Sequence, residues 1–129
     1  IGAAARTCNR AVVQMRDDCY RSLGRDITSY SLRDPEESAR LCALGSAEYQ
    51  PACYVGVAKA LVDWTASTDN AMTFCGIVAP RSFAGLTACY GALGEQIAAL
   101  YSARRTREEE CDRIGLAPAV DACRKGAQL

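Results

Sequence analysis

Eight cysteines are the side chains most able to do chemistry in this chain, and their spacing decides what that chemistry is. They stand at Cys8, Cys19, Cys42, Cys53, Cys75, Cys89, Cys111 and Cys123. Zinc and iron–sulfur centres need clustered thiolates, usually with a Cys-x2–4-Cys pair, whereas the closest two here are 11 apart. A redox dithiol needs Cys-x-x-Cys, which does not occur. Histidine is absent, and with it go Ser-His and Cys-His catalysis and His-ligated zinc or haem. An even number of cysteines in a short chain points to structural disulfides and an extracytoplasmic setting, whether periplasmic, secreted or cell-surface. We expect no cofactor, no metal and no enzymatic activity. The acidic residues fall at expected helix starts or on polar faces, and none stands out as a general acid or base.

The 15 basic and 15 acidic residues cancel. Nothing in that balance favours nucleic acid or an anionic membrane surface. Half the residues are hydrophobic, enough for a packed core. No run of 18 apolar residues spans a membrane. A chain that opens on Ile1 rather than Met is expected to have lost a leader or to be a piece of something longer.

The elements that position the cysteines repeat. Cys8, Cys42, Cys75 and Cys111 are separated by 34, 33 and 36 residues, and Cys19, Cys53, Cys89 and Cys123 by 34, 36 and 34. Such a period marks stacked helical hairpins. After the second cysteine of each unit, apolar residues recur in register. Offset 4 holds Leu23, Val57, Leu93 and Ala127, offset 8 holds Ile27, Leu61 and Ile97, and offset 11 holds Tyr30, Trp64 and Leu100. Offsets 0, 4, 8 and 11 form one stripe on an α-helix, here termed helix B, and the whole stripe is expected in the core or between repeats. Helix A precedes each B helix and carries the first cysteine. Asp34-Pro35-Glu36-Glu37 predicts one A-helix start and Thr106-Arg107-Glu108-Glu109 another, with Glu108, Glu109 and Glu110 at the positive end of the dipole. A third start is expected near Thr68 or Asp69. Gly45 and Pro51, Gly76 and Pro80, and Gly115 and Pro118 predict the A-to-B turns, each Gly stopping one helix and each Pro opening the next. The first A helix is expected to be truncated and the last B helix to run out at Leu129.

The predicted fold is therefore all-α: one domain over 1–129, with units near 1–31, 32–66, 67–104 and 105–129. The four hairpins are expected to stack as a short right-handed solenoid or compact bundle. Eleven residues of straight helix span about 16 Å, so a disulfide inside a unit requires the chain to reverse between its cysteines. The Gly/Pro turn supplies that reversal and favours Cys8–Cys19, Cys42–Cys53, Cys75–Cys89 and Cys111–Cys123. The rival joins each B helix to the next A helix, as Cys19–Cys42, Cys53–Cys75 and Cys89–Cys111. Its near-constant gap suits it, but it leaves Cys8 and Cys123 alone.

On period and cysteine placement the chain resembles disulfide-stapled Sel1-like and tetratricopeptide-like arrays. The repeated phrase Cys-Tyr-x-x-x-Gly, at Cys19–Gly24 and again at Cys89–Gly94, is not their consensus. The resemblance implies protein binding on a helical surface without catalysis. The candidate contact residues are Tyr20, Tyr54 and Tyr90, which either form a surface ladder or pack between units, and the basic cluster Arg104, Arg105 and Arg107. The expected function is a non-enzymatic interaction or scaffold module of a larger assembly, with a protein partner or further copies of itself. The alternative is a carrier of a small apolar ligand, which requires a closed cavity between helices. Apolar ends at Ile1-Gly2-Ala3-Ala4-Ala5 and Gly126-Ala127-Gln128-Leu129 lead us to expect at least one terminal unit in a protein contact.

Overall fold

The computed structural model describes residues 1–129 and contains eight α-helices and no strand. In chain order they are α1 (Gly2–Arg10), α2 (Val13–Tyr30), α3 (Pro35–Cys42), α4 (Gln50–Thr65), α5 (Asp69–Val78), α6 (Phe83–Leu100), α7 (Arg104–Asp112) and α8 (Ala117–Gly126). The odd-numbered helices are the A helices and the even-numbered ones the B helices. The B helices lie side by side in chain order, α2 on α4, α4 on α6 and α6 on α8. The A helices back them, with α3 packed on α5. No helix is long and apolar enough to cross a membrane.

Each hairpin is closed by its own disulfide: Cys8–Cys19, Cys42–Cys53, Cys75–Cys89 and Cys111–Cys123, with Cα atoms 5.5, 5.8, 5.5 and 5.7 Å apart. Closing so short a loop stabilises by about 2–4 kcal/mol, mainly by restricting the unfolded chain.

Several predicted boundaries hold for the predicted reasons. Asp34 caps α3, accepting from the Glu36 amide at 3.0 Å with Pro35 in the first turn. Thr68 precedes α5. Pro51 and Pro118 occupy the first turns of α4 and α8, and Gly115 takes a left-handed φ of 76° before α8.

Others shift. Gly76 lies inside α5, and the break comes later, through a 3-10 turn at 79–81 that contains Pro80, before Ser82 caps α6 through the Gly85 amide at 2.9 Å. The expected capping box at Thr106 does not form. α7 starts three residues earlier, with Ala103 at its N-cap and no side-chain cap, and Glu108, Glu109 and Glu110 fall from its middle onward. The early start places Arg104 and Arg105 one turn before Glu108 and Glu109, and two ion pairs result. At 9 residues α1 is as long as α3, α5 and α7, which have 8, 10 and 9. α8, at 10 residues, is shorter than the 16–18 of the other B helices.

The core stripe follows the predicted offsets as far as the eighth. Leu23, Val57, Leu93 and Ala127 are buried, as are Ile27, Leu61 and Ile97. At offset 11 the expectation fails. Tyr30 is 72% exposed, Trp64 59%, and Leu100 is on the surface too. The A helices are too short to cover this row. From Cys42 back to Pro35, α3 rises about 10 Å, whereas Trp64 lies about 16 Å beyond Cys53 along α4.

The B helices approach closely at paired small residues. A Cβ on Gly24 would overlap the Cys53 carbonyl oxygen and stand 2.9 Å from the Val57 amide nitrogen. One on Gly56 would overlap the Arg21 carbonyl. The same contact recurs 70 residues later, with Gly94 against Cys123 and Gly126 against Gly91. Between α4 and α6 the equivalent positions hold Ala58 and Ala92, both buried. There Gln96 donates to Asp63 Oδ1 at 2.7 Å and to the Lys59 carbonyl at 3.4 Å, and Lys59 pairs with Glu95 at 2.5 Å.

Candidate functional site

The exposed row at offset 11 begins with an unusual chain reversal. α2 ends at Tyr30, and Leu32 and Arg33 follow with φ of 55° and 66°. The Arg33 amide donates to the Thr28 carbonyl at 2.9 Å and the Leu32 amide to that of Ser29 at 3.2 Å. This is a Schellman-type termination with leucine at the position where glycine usually stands. A left-handed conformation costs an L-residue about 1–2 kcal/mol, so this loop holds strain at two successive residues. It is fixed on both sides. Ser31 and Ser38 share a buried hydroxyl hydrogen bond of 2.9 Å, and Asp34 immediately caps α3.

The strained loop projects Leu32 into solvent, where it is 83% exposed. It also brings the Arg33 guanidinium 5.2 Å from the centre of the Trp64 ring, a cation–π contact worth about 0.5–1 kcal/mol at an exposed site. Trp64 sits in the last turn of α4, just before Thr65 and a left-handed Ala66 with φ 53°. The Thr65 hydroxyl fixes this end through the Leu61 carbonyl at 2.8 Å. Thr28, Ser29, Leu32, Arg33 and Trp64 line an open depression of about 270 Å3. Tyr30, Leu32, Arg33 and Trp64 thus form one apolar, aromatic and singly cationic edge across units one and two. The opposite edge, at the A-to-B turns, carries Val12, Val13, Leu44, Phe83 and Leu116, also exposed.

The tyrosines singled out in the sequence are interior: Tyr20, Tyr54 and Tyr90 are 0, 1 and 5% exposed. They form no surface ladder, and they pack as the second reading expected. Tyr20 reaches into the turn of the next unit. Its ring stacks on Tyr49 with centroids 5.1 Å apart, and its hydroxyl donates to Asn9 Oδ1 at 2.6 Å and accepts from the Ser46 amide at 3.2 Å. Tyr54 meets Phe74 of the third unit edge-on at 5.9 Å. Burial pushes the Tyr90 hydroxyl above the ordinary tyrosine range.

The basic cluster divides. Arg104 and Arg105 are surface residues paired with Glu108 and Glu109 at 3.1 and 3.2 Å. Arg107 turns inward and donates to the carbonyls of Tyr101 at 2.6 Å, Ala98 at 3.2 Å and Ala127 at 3.4 Å. It thereby ties the C-terminal end of α6 to that of α8, where a cation is favoured by both dipoles.

The sequence reading placed Tyr30 and Trp64 in the core and so missed this edge. The signal that finds it was available: Asp34-Pro35 fixes where α3 begins, and hence how far it reaches along α4.

Several other ionisable groups form surface pairs. Hydrogen bonding to Arg40 holds the Glu37 carboxyl below its usual range. Arg113 bridges Asp69 and Glu110, both at 2.8 Å, joining α7 to the start of α5, where Thr68 also donates to Glu110. The cysteine sulfurs are all in disulfides and offer no thiolate. The four depressions in the surface hold about 210–290 Å3 each, and all open to solvent. What this arrangement can do chemically is bury apolar and aromatic surface against another molecule. Comparison of the chain with protein-family models, with curated proteins and with solved structures finds no match in any of the three.

Proposed function

We propose that this protein is a non-enzymatic interaction module, an extrinsic subunit or scaffold of a larger extracytoplasmic assembly, and that it engages a protein partner through the Tyr30–Leu32–Trp64 edge. The observation that carries this reading is the exposure of Tyr30 at the end of α2, of Leu32 on a loop held in a strained conformation, and of Trp64 in the last turn of α4, with Arg33 over the indole. Tryptophan, tyrosine and arginine are the residues that most often dominate binding energy at protein interfaces. Strain kept at a surface loop is a reason to look for function there. Four intramolecular disulfides suit an oxidising compartment, in keeping with a periplasmic, secreted or cell-surface site. The helical-hairpin array is in keeping with the resemblance to Sel1-like and tetratricopeptide-like arrays, which implies the same role. A carrier would need an enclosed apolar cavity, and the openness of every depression favours contact over carriage.

The test is gentle purification from the native source of the wild type, of a Trp64→Ala/Leu32→Ser variant and of a Phe83→Ser control on the opposite edge. Wild type and control should elute with a stoichiometric protein partner, through a contact burying about 1,000 Å2 or more. The edge variant should elute alone, while unfolding within about 0.5 kcal/mol of wild type, as surface substitutions do. A monodisperse monomer in all three preparations sinks the reading.

A further inference from the structure

Anything that covers Trp64 and Leu32 also covers Arg33. Its guanidinium lies 5.2 Å from the centre of the Trp64 ring. It borders the open depression of about 270 Å3 that it lines with Thr28, Ser29, Leu32 and Trp64. Most arginines of the chain hold a carboxylate or a backbone carbonyl. Arg33 holds an indole instead and takes part in no ion pair. Carboxylates near it in the chain are engaged elsewhere. Asp34 caps α3 through the Glu36 amide, and Glu37 pairs with Arg40. Asp63, beside Trp64, accepts from Gln96 at 2.7 Å and lies 3.8 Å from Arg25. The indole face holds the cation in place without neutralising it.

A molecule that buries Trp64 and Leu32 strips water from Arg33 as well. A guanidinium that loses its water and gains no opposite charge is among the costliest changes an interface can make. The apolar gain at Trp64 and Leu32 is therefore realised only if the occupant brings a negative group. We propose that the partner protein places a side-chain carboxylate, from Asp or Glu, on Arg33 and an aliphatic or aromatic side chain in the depression beside it. This rests on reading the edge as the contact surface, and it names the chemistry of what makes the contact. The fork of guanidinium donors matches the two oxygens of a carboxylate in one plane. The depression is larger than the about 150 Å3 that encloses a benzene ring, so one such side chain has room. A phosphate fits less well. Its nearly double charge would face one cation and the negative ends of the α2 and α4 dipoles, which finish at Tyr30 and Thr65. The carboxylate and the apolar side chain must share a face of the partner's segment. They stand at alternate positions if that segment is extended, or one turn apart if it is helical.

The probe is a library of random peptides of about a dozen residues, displayed at the N-terminus of a phage coat protein and panned on the immobilised full chain. Every carboxylate offered is then a side chain's and none is a free chain end. Peptides enriched on the wild type should carry Asp or Glu at one of those spacings from Leu, Ile, Phe or Trp. Remade with blocked ends and a label, they should bind saturably in fluorescence anisotropy. Exchanging the peptide's Glu for Gln, or Asp for Asn, should weaken binding at least about tenfold, and so should Arg33→Glu or Trp64→Ala in the protein. Arg33→Lys should weaken it about threefold, because an ammonium keeps the charge and loses the fork. Phe83→Ser on the opposite edge should change nothing. Arg33 is exposed, so its variants should melt as the wild type does. Failure to enrich any peptide, enriched peptides without a carboxylate, or binding indifferent to Arg33→Glu overturns the proposal. So does tighter binding of the same peptide with phosphoserine in place of its acidic residue, which would make phosphate the group recognised. The two readings fail separately. A native complex that survives Arg33→Glu refutes the carboxylate and leaves the edge standing. Acidic peptides that bind while no native partner is recovered refute the assembly and leave the chemistry of the edge standing.

Discussion

Replacing Gly56 by alanine tests whether the close B-helix crossing holds the array together. The added Cβ would overlap the Arg21 carbonyl oxygen and stand 2.9 Å from its carbonyl carbon and 3.1 Å from the Gly24 Cα. All three obstacles are backbone, so no side chain can swing aside, and α2 must part from α4 by about 1 Å. Gaps of that size forfeit a quarter to a half of the dispersion energy across the facing atoms. Overpacking of this kind costs about 3 kcal/mol, the upper end of the usual range. Alanine is favoured over glycine in a helix by about 1 kcal/mol, leaving a net destabilisation of about 2 kcal/mol. Gly126→Ala should behave alike, since its Cβ would overlap the Gly91 carbonyl. Gly76→Ala is the control. It is also helical, but the nearest atom to its Cβ is the Tyr90 hydroxyl at 3.9 Å, and the position is exposed. It should stabilise by about 0.5–1 kcal/mol. The assay is urea unfolding with the disulfides intact, followed by far-ultraviolet circular dichroism. Equal stability of Gly56→Ala and wild type, or a loss at Gly76→Ala as large as that at Gly56→Ala, refutes the crossing as a determinant of stability.

Three further outcomes follow from the structure. Under limiting reductant Cys8–Cys19 should open first, because Cys19 alone is accessible; alkylation and peptide mapping should show it, whereas first labelling at Cys75 or Cys89 would show that accessibility does not set the order. Leu32→Gly should stabilise by about 0.5–1 kcal/mol, since glycine relieves most of the left-handed cost at a side chain that buries almost nothing, and the same variant should weaken partner capture; a destabilised Leu32→Gly protein would show that the loop is not strained. Tyr90 is buried and ionises above its ordinary value of 10.0 in the native state. Since the unfolded chain ionises first, the stability this residue contributes is complete below about pH 10 and lost as pH rises through the native value; absorbance titration should show a late-ionising tyrosine that Tyr90→Phe removes, and identical curves would argue against its burial.

The cysteine period and the apolar stripe were enough to mark out the helix pairs and to favour the within-unit disulfides; the rival pairing stayed open until the structure closed each hairpin on itself. Each depends on local spacing: a fixed rise per residue and a chain reversal between two cysteines. Asp34-Pro35 marked a helix start for the same reason, because a cap acts on its own first turn. What spacing could not decide was where one layer stops covering another. Tyr30 and Trp64 carry the same periodic signature as the buried Ile27 and Leu61, and only the length of the antiparallel A helix leaves them outside. Local rules also misplaced the start of α7, because Arg107 is held by carbonyls of α6 and α8, distant in sequence, rather than by the turn in which it lies.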